Sequence, residues 1–107
     1  MAYDEVLADR VREQLEPEGV AAKKMFGGIT FMLQGNALAN VYEEGLMVRV
    51  GPDGMDDALA RPGARPFVFR GKEQKGWVVL AEEILDDDVL EDWLTWAMEV
   101  TAELPPK

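Results

Sequence analysis

The sequence predicts an α+β domain of two layers, with helices packed on one face of an antiparallel sheet. Three observations carry that prediction. Apolar residues recur at helical spacing near both ends, as Tyr3, Val6, Leu7, Val11 and Leu15, and again as Val89, Trp93, Trp96, Val100 and Leu104. Between them, Ile29, Phe31 and Leu33, then Leu46, Val48 and Val50, then Phe67 and Phe69 alternate with other residues at period two. Turn-forming pairs separate the alternating runs, so neighbouring strands join as hairpins. The resulting order is α-β-β-β-α-β-β-α.

The first helix has Asp4 and Glu5 in its opening turn and Arg10 and Arg12 later, the charge order that the helix dipole favours; Pro17-Glu18-Gly19 ends it. Val20–Phe26 then leads into Gly27-Gly28, and Ile29–Gln34 is the first alternating strand. Gly35-Asn36 signals a hairpin turn, Ala37–Tyr42 follows as a strand of small residues, and Glu43-Glu44-Gly45 turns the chain into Leu46–Val50. Gly51-Pro52-Asp53 opens a short helix to about Ala60, which Arg61-Pro62-Gly63 stops. A second hairpin pairs Phe67–Arg70 with Trp77–Leu80 across the polar loop Gly71–Gly76. The last helix starts near Asp86–Asp88, where Asp88 and Glu91 have capping-box spacing, and Pro105-Pro106 closes it.

On this reading one sheet face carries Ile29, Phe31, Leu33, Leu46, Val48, Val50, Phe67, Phe69 and part of Trp77–Leu80 against Trp93, Trp96 and Val100. The opposite face is left with Thr30, Met32, Gln34, Met47, Arg49, Val68 and Arg70.

The chain has 107 residues, 48% of them apolar, which is the size and composition of one folded domain spanning 1–107. It contains no Cys and no His, which removes disulfides, thiolate chemistry, Cys/His zinc sites and the Ser-His-Asp and Cys-His machineries. Eight charges within residues 2–18 argue against a signal peptide, and no apolar run is long enough to span a bilayer, so a cytoplasmic protein without membrane contact is expected. The net charge of −10 is uneven: residues 1–81 hold twelve acids and ten bases, whereas residues 82–106 hold nine acids and no base. A polyanionic end is repelled by phosphate backbones, which argues against direct nucleic-acid binding.

Four segments, Lys24-Met25-Phe26-Gly27-Gly28-Ile29-Thr30-Phe31-Met32, Leu46-Met47-Val48-Arg49-Val50-Gly51, Pro62-Gly63-Ala64-Arg65-Pro66 and Lys75-Gly76-Trp77-Val78, resemble in order the N-terminal domain of the TfoX/Sxy family, named for bacterial regulators of natural competence. The resemblance covers Tyr3 to Pro106. It implies a helix-flanked antiparallel sheet similar to that of type III secretion chaperones. Full-length competence regulators carry a further C-terminal helical domain, so this chain is expected to be a stand-alone N-terminal domain. The resemblance brings no catalytic residues with it.

Several residue groups invite a functional reading, each beside a plainer one. Gly27-Gly28 offers backbone N–H groups to an anion, but it lies between strands without phosphate-loop spacing, and a strand bend accounts for it. Asp86-Asp87-Asp88 with Glu82 and Glu83 could bind a hard cation, yet matches no EF-hand loop and suits a helix cap. Asp56 with Asp57, and Glu43 with Glu44, are neighbours on turns rather than carboxylates converging on a cleft. Arg61, Arg65, Arg70, Lys72 and Lys75 form the one basic stretch, which could receive a phosphate or an acidic partner, or could be a solvated hairpin. Met25, Met32 and Met47, with Met32 and Met47 on the face opposite the core beside Arg49, suit an adaptable interaction surface, or lie under a covering loop.

No catalytic residue, metal ligand or cofactor follows from these patterns. The expectation is a non-enzymatic interaction or regulatory domain, self-associating or docking a protein partner through Met25, Met32, Met47, Arg49, Arg70 and Lys75. The alternatives are an accessory factor in nucleic-acid regulation and a domain that binds a small anion through Arg49, Arg70 and Lys75.

Overall fold

The first helix, α1 (Glu5–Leu15), begins where Asp4 turns its carboxylate back to accept from the N–H groups of Val6 and Leu7, at 2.8 and 3.1 Å. The computed structural model that shows this describes residues 3–25, 27–43 and 45–106. The buried stripe of α1 is Leu7, Ala8, Val11 and Leu15; Val6, expected on it, is 68% exposed. The carboxyl of Glu82, at the head of a 3-10 turn over Glu82–Ile84, lies beside that of Asp4 so that the two can share a proton in one hydrogen bond. That shared hydrogen bond holds Asp4 below the usual carboxylate range and pushes Glu82 above it.

Six strands follow, β1 (Ala21–Met25), β2 (Gly28–Leu33), β3 (Asn36–Tyr42), β4 (Gly45–Arg49), β5 (Ala64–Phe69) and β6 (Lys72–Leu80), with the short helix α2 (Met55–Leu59) between β4 and β5. The closing helix is α3 (Asp87–Ala102). The element order is therefore α-β-β-β-β-α-β-β-α, one strand longer than the order expected from sequence. The unexpected strand is β1, an edge strand with four of its five residues exposed, so no inside-outside alternation marks it. Phe26 and Glu44, part of the motif and turn read from sequence, lie outside the described residues.

All pairings are antiparallel, in the order β1-β2-β3-β4-β6-β5. The β2–β3 turn is Gln34-Gly35, with φ of 53° and 84°, and the β5–β6 turn is Arg70-Gly71, with φ of 55° and 77°. Two successive positive φ values are what a two-residue type I′ hairpin needs. Both turns differ from expectation. Asn36 is the first residue of β3, its side chain donating to the Pro105 carbonyl at 2.9 Å, and the expected loop Gly71–Gly76 is mostly strand.

The register explains which residues face the helices. One row across the sheet runs Ala22, Phe31, Ala39, Val48, Val78 and Pro66, and the next runs Lys24, Ile29, Val41, Leu46, Leu80 and Ala64. Their central members are buried in one core with Leu7 and Val11 of α1, Ala58 of α2, and Leu90, Trp93, Leu94 and Ala97 of α3. A bulge between Phe31 and Met32 leaves Leu38 unopposed and fully buried in the same core.

Phe67 and Phe69 do not belong to it. The core-side positions of β5 are Ala64 and Pro66, so both phenylalanines point to the other face, and Phe69 is 48% exposed. The strand alternates as expected but in the opposite phase, because a shift of one residue flips a whole strand. The space over β5 on the core side is taken by Leu59 of α2 and by Ile84, against which Gly63 packs.

Asp86, rather than Asp88, caps α3, accepting from the Val89 N–H at 2.9 Å. The buried face of α3 is Leu90, Trp93, Leu94, Ala97 and Thr101; of the expected stripe only Trp93 is buried, and Val89, Trp96, Val100 and Leu104 are half-buried. Arg10 ties α1 to α3 by donating to the Leu85 carbonyl at 2.6 Å and to Asp87 at 3.0 Å.

Candidate interaction face

Directly opposite residues of an antiparallel sheet share a face. The row between the two core rows runs Lys23, Thr30, Asn40, Met47, Val79 and Arg65, and it lies on the side without helices. Neither Met47 nor Val79 joins the core cluster to which all three helices contribute. Thr30, Asn40, Met47 and Val79 are nonetheless buried, Met47 to 8% exposure. What encloses this floor is a set of side chains from the same face.

Thr30, Ala37, Asn40, Tyr42, Met47, Phe67, Val68, Phe69, Gln74 and Trp77 line a concavity of about 430 Å³. The Tyr42 and Phe67 rings meet edge to face at 6.3 Å, and Phe67 and Phe69 stack at 6.3 Å. Val68 at the hairpin tip is 54% exposed. The lining is aromatic and apolar, with few polar groups, as in small-molecule sites and interface centres.

Those polar groups are specific. Asn40 donates through Nδ2 to the Thr30 hydroxyl at 2.6 Å, while its Oδ1, equally buried, has no hydrogen-bond partner among the described residues. Beside the concavity Arg49 pairs across strands with Trp77, its guanidinium 4.6 Å from the indole centroid, and its Nε donates to the Ala37 carbonyl at 2.7 Å. Burial lowers the Arg49 pKa from its ordinary value, and among the described residues no carboxylate lies within ion-pair distance of it. The guanidinium stays charged, since arginine does not deprotonate in proteins.

The expected site residues separate into two groups. Met47 and Arg49 sit at the floor and edge of the concavity. Met32 is on the same face by its place between Phe31 and Leu33, pairs with Ala37 and Ala21, and is half-buried outside the concavity. Met25 pairs with Gly28 at the end of the edge strand and is also half-buried. Arg70 holds the hairpin turn with its guanidinium 5.3 Å from the Phe69 ring, and Lys75 is exposed on β6 without lining the concavity. The basic stretch is split too, because Arg61 lies over Trp93 and Trp96 on the helical side.

Gly28 has a packing role, since a Cβ there would overlap the Val41 carbonyl oxygen across the ladder. Asp86 is a cap and Asp87 an ion-pair partner, and no group of acids among the described residues is arranged to hold a metal ion. Asp56 and Asp57 are exposed in the first turn of α2, and Glu43 is exposed in its turn. The residues that sequence reasoning missed are Asn40, Tyr42, Phe67 and Trp77.

A family profile, that of the TfoX N-terminal domain, matches residues 13–101 of the chain. The chain belongs to the TfoX N-terminal domain family. Membership places it among competence-regulator-like domains, a generally regulatory family. No curated protein and no solved structure matches the chain. No helix among the described residues is long and apolar enough to cross a membrane.

Proposed function

We propose that this chain is a non-enzymatic, cytoplasmic regulatory domain whose helix-free sheet face docks a protein, with a second copy of the chain as the occupant. The observation that carries the reading is the aromatic concavity with an exposed apolar hairpin tip, Val68 and Phe69, at its rim. In a two-fold arrangement the tip of each copy meets the concavity of the other, so one patch serves both sides. Aromatic side chains and arginine are the residues that concentrate binding energy at interface centres.

The sheet edges favour the face over strand-to-strand association. Lys23 and Lys24 stand on β1, and Pro66 interrupts the donor row of β5. A non-catalytic role is supported by the carboxylates of Asp4 and Asp86, which cap helices, of Asp9 and Asp87, which pair with arginine, and of Glu43, which stands on an exposed turn.

Sedimentation velocity tests the reading. The wild-type chain is expected to form a dimer at high micromolar concentration, and Val68→Lys and Phe69→Lys to be folded monomers. A wild-type monomer throughout that range would refute it. Met47→Lys is unsuited to this test, because a lysine at that buried position challenges folding first.

A further inference from the structure

On the helical side of the molecule, α1 and α3 form the walls of a groove of about 590 Å³. Its lining holds five acids, Glu13, Asp87, Asp88, Glu91 and Glu99, and one base, Arg10. Leu15 and Leu94 close the bottom and expose almost nothing, whereas Met98 is half-buried and brings apolar surface to the groove. Arg10 is already engaged with the Leu85 carbonyl and with Asp87, so the groove's own base answers one carboxylate of the five. Glu13, Asp88, Glu91 and Glu99 are exposed and form no ion pair among the described residues.

This charge works against the helix that carries most of it. No basic residue lies on α3, and Asp87 with Glu91, Asp88 with Asp92, and Glu99 with Glu103 are like charges four residues apart, a destabilising spacing. Glu99 and Glu103 also stand at the C-terminal end, where the helix dipole disfavours an acid. Stability of the domain does not account for acids in these places, and a cationic occupant of the groove does.

We propose that the groove docks a basic amphipathic helix of a partner protein. From Asp87 to Glu99 the wall formed by α3 runs for about 18 Å, which matches a helix of three turns. Lysine or arginine side chains along the edges of that helix meet Glu13 on one wall and Glu91 and Glu99 on the other, and an apolar side chain between them rests on Met98. A two-fold mate of the same chain does not suit the groove, because acid would oppose acid. The groove lies on the side opposite the proposed dimer face and forms within a single copy.

The test uses the full chain carrying Val68→Lys, 15N-labelled, so a failure of self-association leaves it unaffected. The probe is a peptide of about 18 residues with Leu and Lys at helical spacing, compared with its Leu/Glu counterpart, with oligolysine of equal charge and with spermine. The amide signals of Glu13, Gln14, Thr95 and Met98 are expected to shift and saturate with the Leu/Lys peptide and to stay still with the Leu/Glu peptide. Oligolysine and spermine bring no apolar side chain and are expected to bind at least about 3-fold more weakly. Glu91→Gln combined with Glu99→Gln should weaken the Leu/Lys peptide about 3- to 10-fold. Glu43→Gln combined with Glu73→Gln removes the same charge elsewhere and should leave the affinity unchanged. All four glutamates are exposed, so both double variants keep the fold. The proposal is overturned by no saturable shift up to roughly 1 mM, by equal losses in the two double variants, or by oligolysine or spermine matching the peptide. Shifts centred on the β5–β6 hairpin, or groove signals that move with chain concentration alone, overturn it as well.

Discussion

The Arg49 guanidinium lies 4.6 Å from the centroid of Trp77, its direct cross-strand partner, on the sheet face that no helix covers. The indole shields a half-buried cation that also ties β4 to β3 through the Ala37 carbonyl. Arg49→Lys is expected not to restore what Arg49→Met loses, because an ammonium cannot both stack flat and donate from a mid-chain nitrogen. Urea titration should show both variants less stable by about 1–2 kcal/mol. A lysine variant as stable as wild type would contradict this.

Arg61 makes the equivalent contact on the helical side. Trp93 and Trp96 stack at 5.5 Å with 2° between their planes, and the Arg61 guanidinium lies 5.0 and 4.7 Å from their centroids. Arg61 is exposed, so Arg61→Ala should cost only about 1 kcal/mol. Trp93→Ala, which empties a fully buried site, should cost about 3–5 kcal/mol. Thermal denaturation of the two variants gives the order; a larger loss for Arg61→Ala would be inconsistent with it.

The carboxyl pair Asp4 and Glu82 gives a pH dependence of definite sign. Glu82 is raised by its hydrogen bond to Asp4, so its contribution is full below its ordinary value of 4.5 and is lost as the pH rises through the higher folded value. Asp4 is lowered, so its contribution is present above its ordinary value of 3.8 and is lost as the pH falls through the folded value. Once the pH exceeds the folded value of Glu82, both are ionised and repel across the junction of α1 with the turn before α3. Glu82→Gln, whose amide can donate to Asp4 at any pH, should melt higher than wild type at neutral pH, and the difference should shrink on acidification towards 4.5. A difference that grows on acidification would rule out the shared proton.

Gly28 permits β2 and β3 to approach. Gly28→Ala puts a methyl group into the Val41 carbonyl, a backbone atom that cannot move without parting the ladder, and should destabilise by about 1–3 kcal/mol. Gly27→Ala meets no atom at all, although φ of 74° strains it. Chemical denaturation of Gly28→Ala that matches wild type would remove the packing role.

Much of this architecture was legible in the residues. The alternation of Ile29 with Phe31 and of Leu46 with Val48 and Val50 identified the core face, and the helix-free side followed from it. What escaped notice has local causes. Strand β1 is an exposed edge, so Lys23 and Lys24 look like loop residues. The phase of Phe67 depends on pairing Pro66 with Val78, which no short-range pattern encodes. The buried stripe of α3 is rotated from Trp96 towards Leu90, Leu94 and Ala97, because Trp96 stacks outward on Trp93 beneath Arg61. Of the candidate site, Met47 and Arg49 were found by alternation. Asn40, Tyr42 and Trp77 were not, because polar and aromatic residues in a strand declare no face until the register is known.

A dilution series of amide spectra of the wild-type chain tests the central claim most directly. If the bare side of the sheet is where this domain engages its own kind, lowering the concentration from high to low micromolar should move the resonances of Ala37, Tyr42, Val68, Phe69 and Trp77 and leave those of Leu7, Val11, Glu91 and Thr95 still. Spectra independent of concentration, or movements confined to α1 and α3, would contradict it.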